Sequence, residues 1–100
     1  MSELERTKTV PLVKAISHDA TKTTYEAIEL SEPILIQVQQ FYDEQAKSGS
    51  LSAMGLLISL VSNVPREAIK KMAFTDYKAC EVYMMSFLAY SPPPESGVMS

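Results

Sequence analysis

The sequence predicts an α+β domain, an N-terminal two-stranded β-hairpin packed on a bundle of about four helices. Three observations lead there. Apolar residues recur with a period of two between Thr9 and Leu30, which is the strand pattern. From Ile34 onward the period lengthens to that of a helix, and clusters of Ser, Gly and Pro cut this region into helix-sized pieces. The 100 residues, 46% hydrophobic and 21% charged, suit one small domain that must bury most of its apolar side chains to offset the entropy of ordering the chain.

Residues 1–8 are polar and aperiodic, and are expected to be a flexible N-terminus. Thr9 to Ile16 reads as a strand with Val10, Leu12 and Ile16 on one face and Thr9, Pro11, Val13 and Ala15 on the other. Pro11 has no N–H for a ladder, which places it on an edge or at the rim. Ser17-His18-Asp19-Ala20-Thr21 is a turn cluster, and Thr23 to Leu30 is the returning strand. There Tyr25 and Ala27 oppose Thr24, Glu26, Ile28 and Leu30.

Ser31-Glu32-Pro33 is a helix start, with Ser31 as cap, Glu32 facing the positive end of the dipole, and Pro33 where a missing N–H does no harm. The first helix runs to Lys47 with Ile34, Val38 and Phe41, and Leu35 and Tyr42 beside them, as its apolar stripe. After Ser48-Gly49-Ser50 a second helix, Leu51 to Asn63, is apolar almost all round, so it is either central or covered by a partner. Val64-Pro65 breaks it. A short third helix, Arg66 to Met72, turns Ala68, Ile69 and Met72 inward. Thr75-Asp76 then caps a fourth, Asp76 to Tyr90, whose stripe is Tyr77, Cys80, Met84, Phe87 and Leu88. Residues 91–100 are expected to be a Pro-rich, flexible and disordered tail, leaving residues 9–90 as the one domain.

Several functions are excluded on chemical grounds. A net charge of −3 and one adjacent basic pair, Lys70-Lys71, with Lys71 spaced to pair with Glu67, offer little to a phosphate backbone, so no nucleic acid is expected. One cysteine and one histidine allow neither an internal disulfide nor a Cys/His zinc site. Three glycines give no phosphate-cradling loop, and no metal or cofactor is expected. Cys80 on an apolar stripe reads as a small buried hydrophobe and His18 as an exposed turn residue, so an enzyme built on them lacks partners. The start has no signal pattern, and the longest apolar run, Leu51 to Val64, is interrupted by serines and shorter than the ~20 residues a membrane span needs. The protein is expected in the cytoplasm of the cell that makes it.

Binding is the chemistry that remains. Val82, Tyr83, Met85 and Tyr90 fall off the stripe of the last helix and are the candidate partner contacts, a second copy of the chain included. Six methionines suit an adaptable surface, though Met54, Met72 and Met84 lie on core stripes. Glu26, Glu29 and Glu32 are either a solvated face or a docking strip for a basic segment. Two strands alone are marginal in water, so the hairpin packs on the helices or is extended by a neighbour's strand, which would make the chain self-associate.

The order of a polar lead, a hairpin, the motif Ala27-Ile28-Glu29-Leu30-Ser31-Glu32-Pro33, the run Leu56-Leu57-Ile58-Ser59-Leu60-Val61-Ser62-Asn63-Val64-Pro65, then Ala68-Ile69 and Phe74-Thr75-Asp76-Tyr77, resembles the tail assembly chaperones of contractile-tailed bacteriophages. The resemblance covers roughly residues 8 to 88. It implies a non-enzymatic protein of the bacterial host cytoplasm that binds the aggregation-prone tape measure protein, with the tail tube protein as a further candidate partner, while the tail tube assembles. Such a protein is then absent from the finished tail. It also implies a longer form of the chain made by ribosomal frameshifting. A small helical adaptor or regulatory subunit, with the hairpin as its recognition edge, is the alternative reading.

Overall fold

A computed structural model describes residues 6–91 of the chain. Residues 1–5 and 92–100, which hold most of the predicted flexible start and of the Pro-rich tail, lie outside the described residues. The element order is β1 (Thr7–His18), β2 (Thr23–Ser31), α1 (Leu35–Ser48), α2 (Ser50–Ser62), α3 (Arg66–Ile69) and α4 (Phe74–Leu88), the predicted hairpin followed by four helices.

The strands pair antiparallel, from Thr7 opposite Ser31 to Pro11 opposite Ala27, and again from Ile16 opposite Tyr25 to His18 opposite Thr23. Between these stretches Leu12, Val13, Lys14 and Ala15 stand opposite Glu26 alone, an enlarged bulge in β1 that begins directly after Pro11. Bulged residues lose ladder partners. Here the buried Asp76 supplies them, its Oδ1 accepting the Val13 N–H at 3.0 Å and its Oδ2 the Lys14 N–H at 3.2 Å. This corrects the reading of Asp76 as a helix cap. α4 begins at Phe74, after Ala73 and without a side-chain cap, so Asp76 is already inside the helix and is free to fasten α4 to β1.

Ser31 also differs from its predicted capping role. Pairing with Thr7 keeps it in β2, and its Oγ donates to Val61 O at 3.2 Å. α1 starts four residues later, with Gln37 Oε1 accepting the Ile34 N–H at 3.0 Å in place of a serine cap. Gly49 alone joins α1 to α2, at φ 97°, a left-handed value that favours glycine. The Ser31 to Val61 bond brings the start of α1 to the end of α2, so the two helices run antiparallel. α2 stops at Asn63, also left-handed at φ 62°, and Pro65 prevents its resumption. α3 is a single turn ending at Ile69 instead of running to Met72, with Ala68 and Ile69 buried as expected.

The core gathers Ile28 and Leu30 from β2, Leu57 and Ile58 from α2, and Cys80 and Met84 from α4, all fully buried. α4 buries Asp76, Tyr77, Cys80, Tyr83 and Met84, a face wider than the predicted stripe because it packs on both β1 and α2. The described chain has a radius of gyration of 15.3 Å, against about 13 Å for a compact domain of this length. Much of its apolar surface therefore stays outside the core.

Candidate protein-binding surfaces

The outward apolar residues fall mainly on α1 and α4. On α1, only Phe41 is buried. Ile34, Leu35, Ile36 and Tyr42 are exposed, Leu35 at 82%, so the predicted inward stripe holds only at Phe41 and the half-buried Val38. The physical reason is that α1 packs along α2 and on little else, and one helix neighbour covers only a narrow seam. On α4 the outer row Phe74, Lys78, Val82, Met85 and Ala89 is exposed, at a spacing that keeps all five on one side of the helix.

Of the four α4 residues singled out from the sequence, Val82 (69% exposed), Met85 and Tyr90 face outward. Tyr83 does not. It is 8% exposed and meets Phe87 edge to face with ring centroids 5.1 Å apart, because it lies one turn beyond Cys80 on the core side of the helix. Met85 reaches a groove of about 390 Å³ between α1 and α4, where Phe41, Tyr42, Met54 and Leu88 also line the walls. The carboxylates Glu26, Glu29 and Glu32 are exposed, but strand alternation turns Glu26 and Glu29 to opposite sides of β2, and Glu32 is ion-paired with Arg6. They do not make one strip.

α1 is tied to the body by a polar knot that no local pattern announces. Ser52 Oγ of α2 donates to Glu44 Oε2 at 2.6 Å, and the Arg66 guanidinium of α3 donates to the same oxygen at 3.0 Å and to Ser52 O at 3.2 Å. The hydrogen bond from Ser52, then that from Arg66, holds the Glu44 carboxyl at about 2. These residues are far apart in the chain and ordinary in type, so only the fold reveals them. Lys71, expected to pair with Glu67, lies 3.7 Å from Asp19 of the hairpin turn.

A second cleft, of about 330 Å³, opens on the other side of the crossing of α2 and α4, with Leu51, Gly55, Ile69 and Phe74 among its walls and Arg66 and Lys70 at its rim. It too escaped the sequence reading, because its walls come from three helices. No reactive cluster accompanies these surfaces. Among the described residues no group of three or more His, Cys, Asp and Glu side chains is placed to hold a metal. Burial, and after it the Asp76 carboxylate, pushes the Cys80 thiol up to about 11, away from the thiolate a nucleophile needs. His18 ends β1, half-buried rather than exposed in the turn, with Nδ1 3.1 Å from Thr21 Oγ1. No helix among the described residues is long and apolar enough to cross a membrane.

The described residues form a closed core of hairpin and helices flanked by exposed apolar helix faces and two grooves. Residues 9–89 match the family described as phage tail assembly chaperone proteins, E, or 41 or 14. The chain belongs to that family of non-catalytic chaperones, which act on tail proteins during assembly in the host. No curated protein and no solved structure matches it significantly.

Proposed function

We propose that this tail assembly chaperone holds the tape measure protein through the outward faces of α1 and α4, with Leu35, Ile36, Tyr42, Val82, Met85 and Tyr90 as the contact residues. It works without catalysis, in the cytoplasm of the bacterial host, and leaves before the tail is finished. One observation carries the reading: the core closes on itself while these side chains remain in water. A client helix laid against them would bury its own apolar face, and methionine and tyrosine tolerate varied partners. Self-association belongs to the same proposal, since the same faces on a second copy would meet when no client is present. So does contact with the tail tube protein as the client is handed over. A longer frameshifted form would extend the chain beyond α4 and leave the core as it is.

Co-expression with the tape measure protein tests the reading. Soluble tape measure protein that co-purifies with the chain is expected, and the paired substitution Val82→Asp and Met85→Asp should abolish both effects while the far-ultraviolet circular dichroism stays unchanged. A tape measure protein that remains insoluble, or that is held equally well by the substituted chain, overturns it.

A further inference from the structure

The cleft beside α2 points to a second binding site, which shares only Phe74 with the outer row of α4. Gly55 lies within α2, where glycine costs roughly 1 kcal/mol relative to alanine. Glycine is commonly kept in a helix for a positive φ or for close packing within the chain. Neither holds at Gly55: its φ is not positive, and a Cβ built there meets nothing within 4 Å. The open space above it is the cleft. One turn earlier on the same side, Leu51 is exposed, and the facing wall carries Phe74, exposed as well.

The rim is cationic. Arg66 and Lys70 line it and no carboxylate does. The Arg66 side chain, bonded to Glu44 on one side, is still 33% exposed, and the Lys70 ammonium has no partner among the described residues. A floor that lets a backbone come close, apolar walls running one turn along α2, and an unpaired Lys70 ammonium beside the partly exposed Arg66 guanidinium call for one kind of occupant. We propose that this cleft takes an amphipathic helix of a partner protein, packed with its apolar side over Gly55 and carrying a carboxylate that meets Lys70 and Arg66. The inference stands apart from the client face, because Val82 and Met85 are not among the cleft residues and substitutions there leave it intact.

The test uses the full chain, labelled with ¹⁵N, and two synthetic amphipathic helices of about 18 residues, long enough to hold helical structure. The two are identical except that one flanks its apolar face with Glu and the other with Lys. The Glu peptide should bind at least about tenfold more tightly at low salt, with amide shifts centred on Gly55, Ile69 and Lys70. Gly55→Leu, whose Cβ meets nothing within 4 Å and whose outer carbons extend into the cleft, should weaken it about tenfold, and the surface change Lys70→Glu should reverse the preference between the two peptides. Equal binding of both peptides, indifference to Gly55→Leu in a chain whose circular dichroism is unchanged, or shifts centred on Tyr42 and Met85 would overturn the proposal. So would sedimentation showing that a second copy of the chain covers the cleft.

Discussion

Two helices of nearly equal length, α1 with 14 residues and α2 with 13, lie side by side and are joined by a single glycine, yet they play opposite parts. α2 buries Ala53, Met54, Leu57 and Ile58, touching β2, α3 and α4 as well as α1. α1 buries Phe41 alone and turns Leu35, Ile36 and Tyr42 to water. α2 is apolar almost throughout, while α1 carries its apolar residues among glutamines and charged side chains. α2 also has more neighbours, so its apolar content serves stability while the apolar side chains of α1 are left over for another surface.

The comparison breaks most easily at its buried end. Leu57→Ala removes a fully buried side chain among several elements and should lower stability by about 2–5 kcal/mol, read from a denaturant midpoint at unchanged slope. A loss below about 1 kcal/mol would mean that α2 is no better packed than α1.

Asp76→Ala comes next. It removes the two part-buried hydrogen bonds that the Asp76 carboxylate accepts from the N–H groups of Val13 and Lys14, and a hydrogen bond to a charged group contributes about 1.5–3 kcal/mol. Amide exchange at Val13 and Lys14 should accelerate more than exchange in α2, because the loss falls where α4 meets β1. Exchange rising equally everywhere would show that Asp76 stabilises the domain without fastening that junction.

The knot that holds α1 is sharpened by pH. Ser52 and Arg66 hold the Glu44 carboxyl at about 2, below its ordinary 4.5. A carboxyl with a depressed folded-state pKa adds stability that is fully present above 4.5 and is lost as pH falls toward 2, where the folded form protonates too. Glu44→Gln removes that dependence, so its stability profile should be flatter than that of the parent between these limits. Parallel profiles would mean that other carboxylates set the acid response and that α1 is held by Phe41 alone.

A smaller effect, of opposite sign, is expected on the open side of α2. Gly55→Ala should stabilise the chain by about 0.5–1 kcal/mol, since the added methyl meets no atom within 4 Å and the helix gains propensity. A loss of stability would show that the cleft closes over Gly55 in solution.

The division between the helices was only partly legible in the sequence. Strand and helix periods gave the element order, and a stretch apolar almost all round from Leu51 to Asn63 marked α2 as either central or covered by a partner. For α1 the pattern placed Ile34, Leu35 and Phe41 together on an apolar side but carried no information about how many neighbours would cover it. The consecutive run Ile34-Leu35-Ile36, too wide for one narrow seam, was the available hint. Asp76 looked like a cap because an acidic residue near a helix start usually is one, and the bulge that claims it depends on a register shift that Pro11 announces without fixing. Glu44, Ser52 and Arg66 are brought together by the antiparallel return of α2 and the corner at Pro65, which no local spacing encodes.

The smallest expected effect on stability is also the one that separates the two helices most clearly. Leu35→Ser replaces a large apolar side chain that is 82% exposed, so the folded chain should lose less than about 0.5 kcal/mol. The same chemical change at Leu57 would also expel a buried side chain and leave a polar group in the core. If Leu35 serves an outside surface, Leu35→Ser should leave the denaturant midpoint in place and still weaken capture of the tape measure protein in co-expression, because the apolar area it withdraws is area the client would have covered. A chain that unfolds more easily with Leu35→Ser would instead place Leu35 in a contact within the protein itself, and α1 would then be a second core helix rather than a presented one.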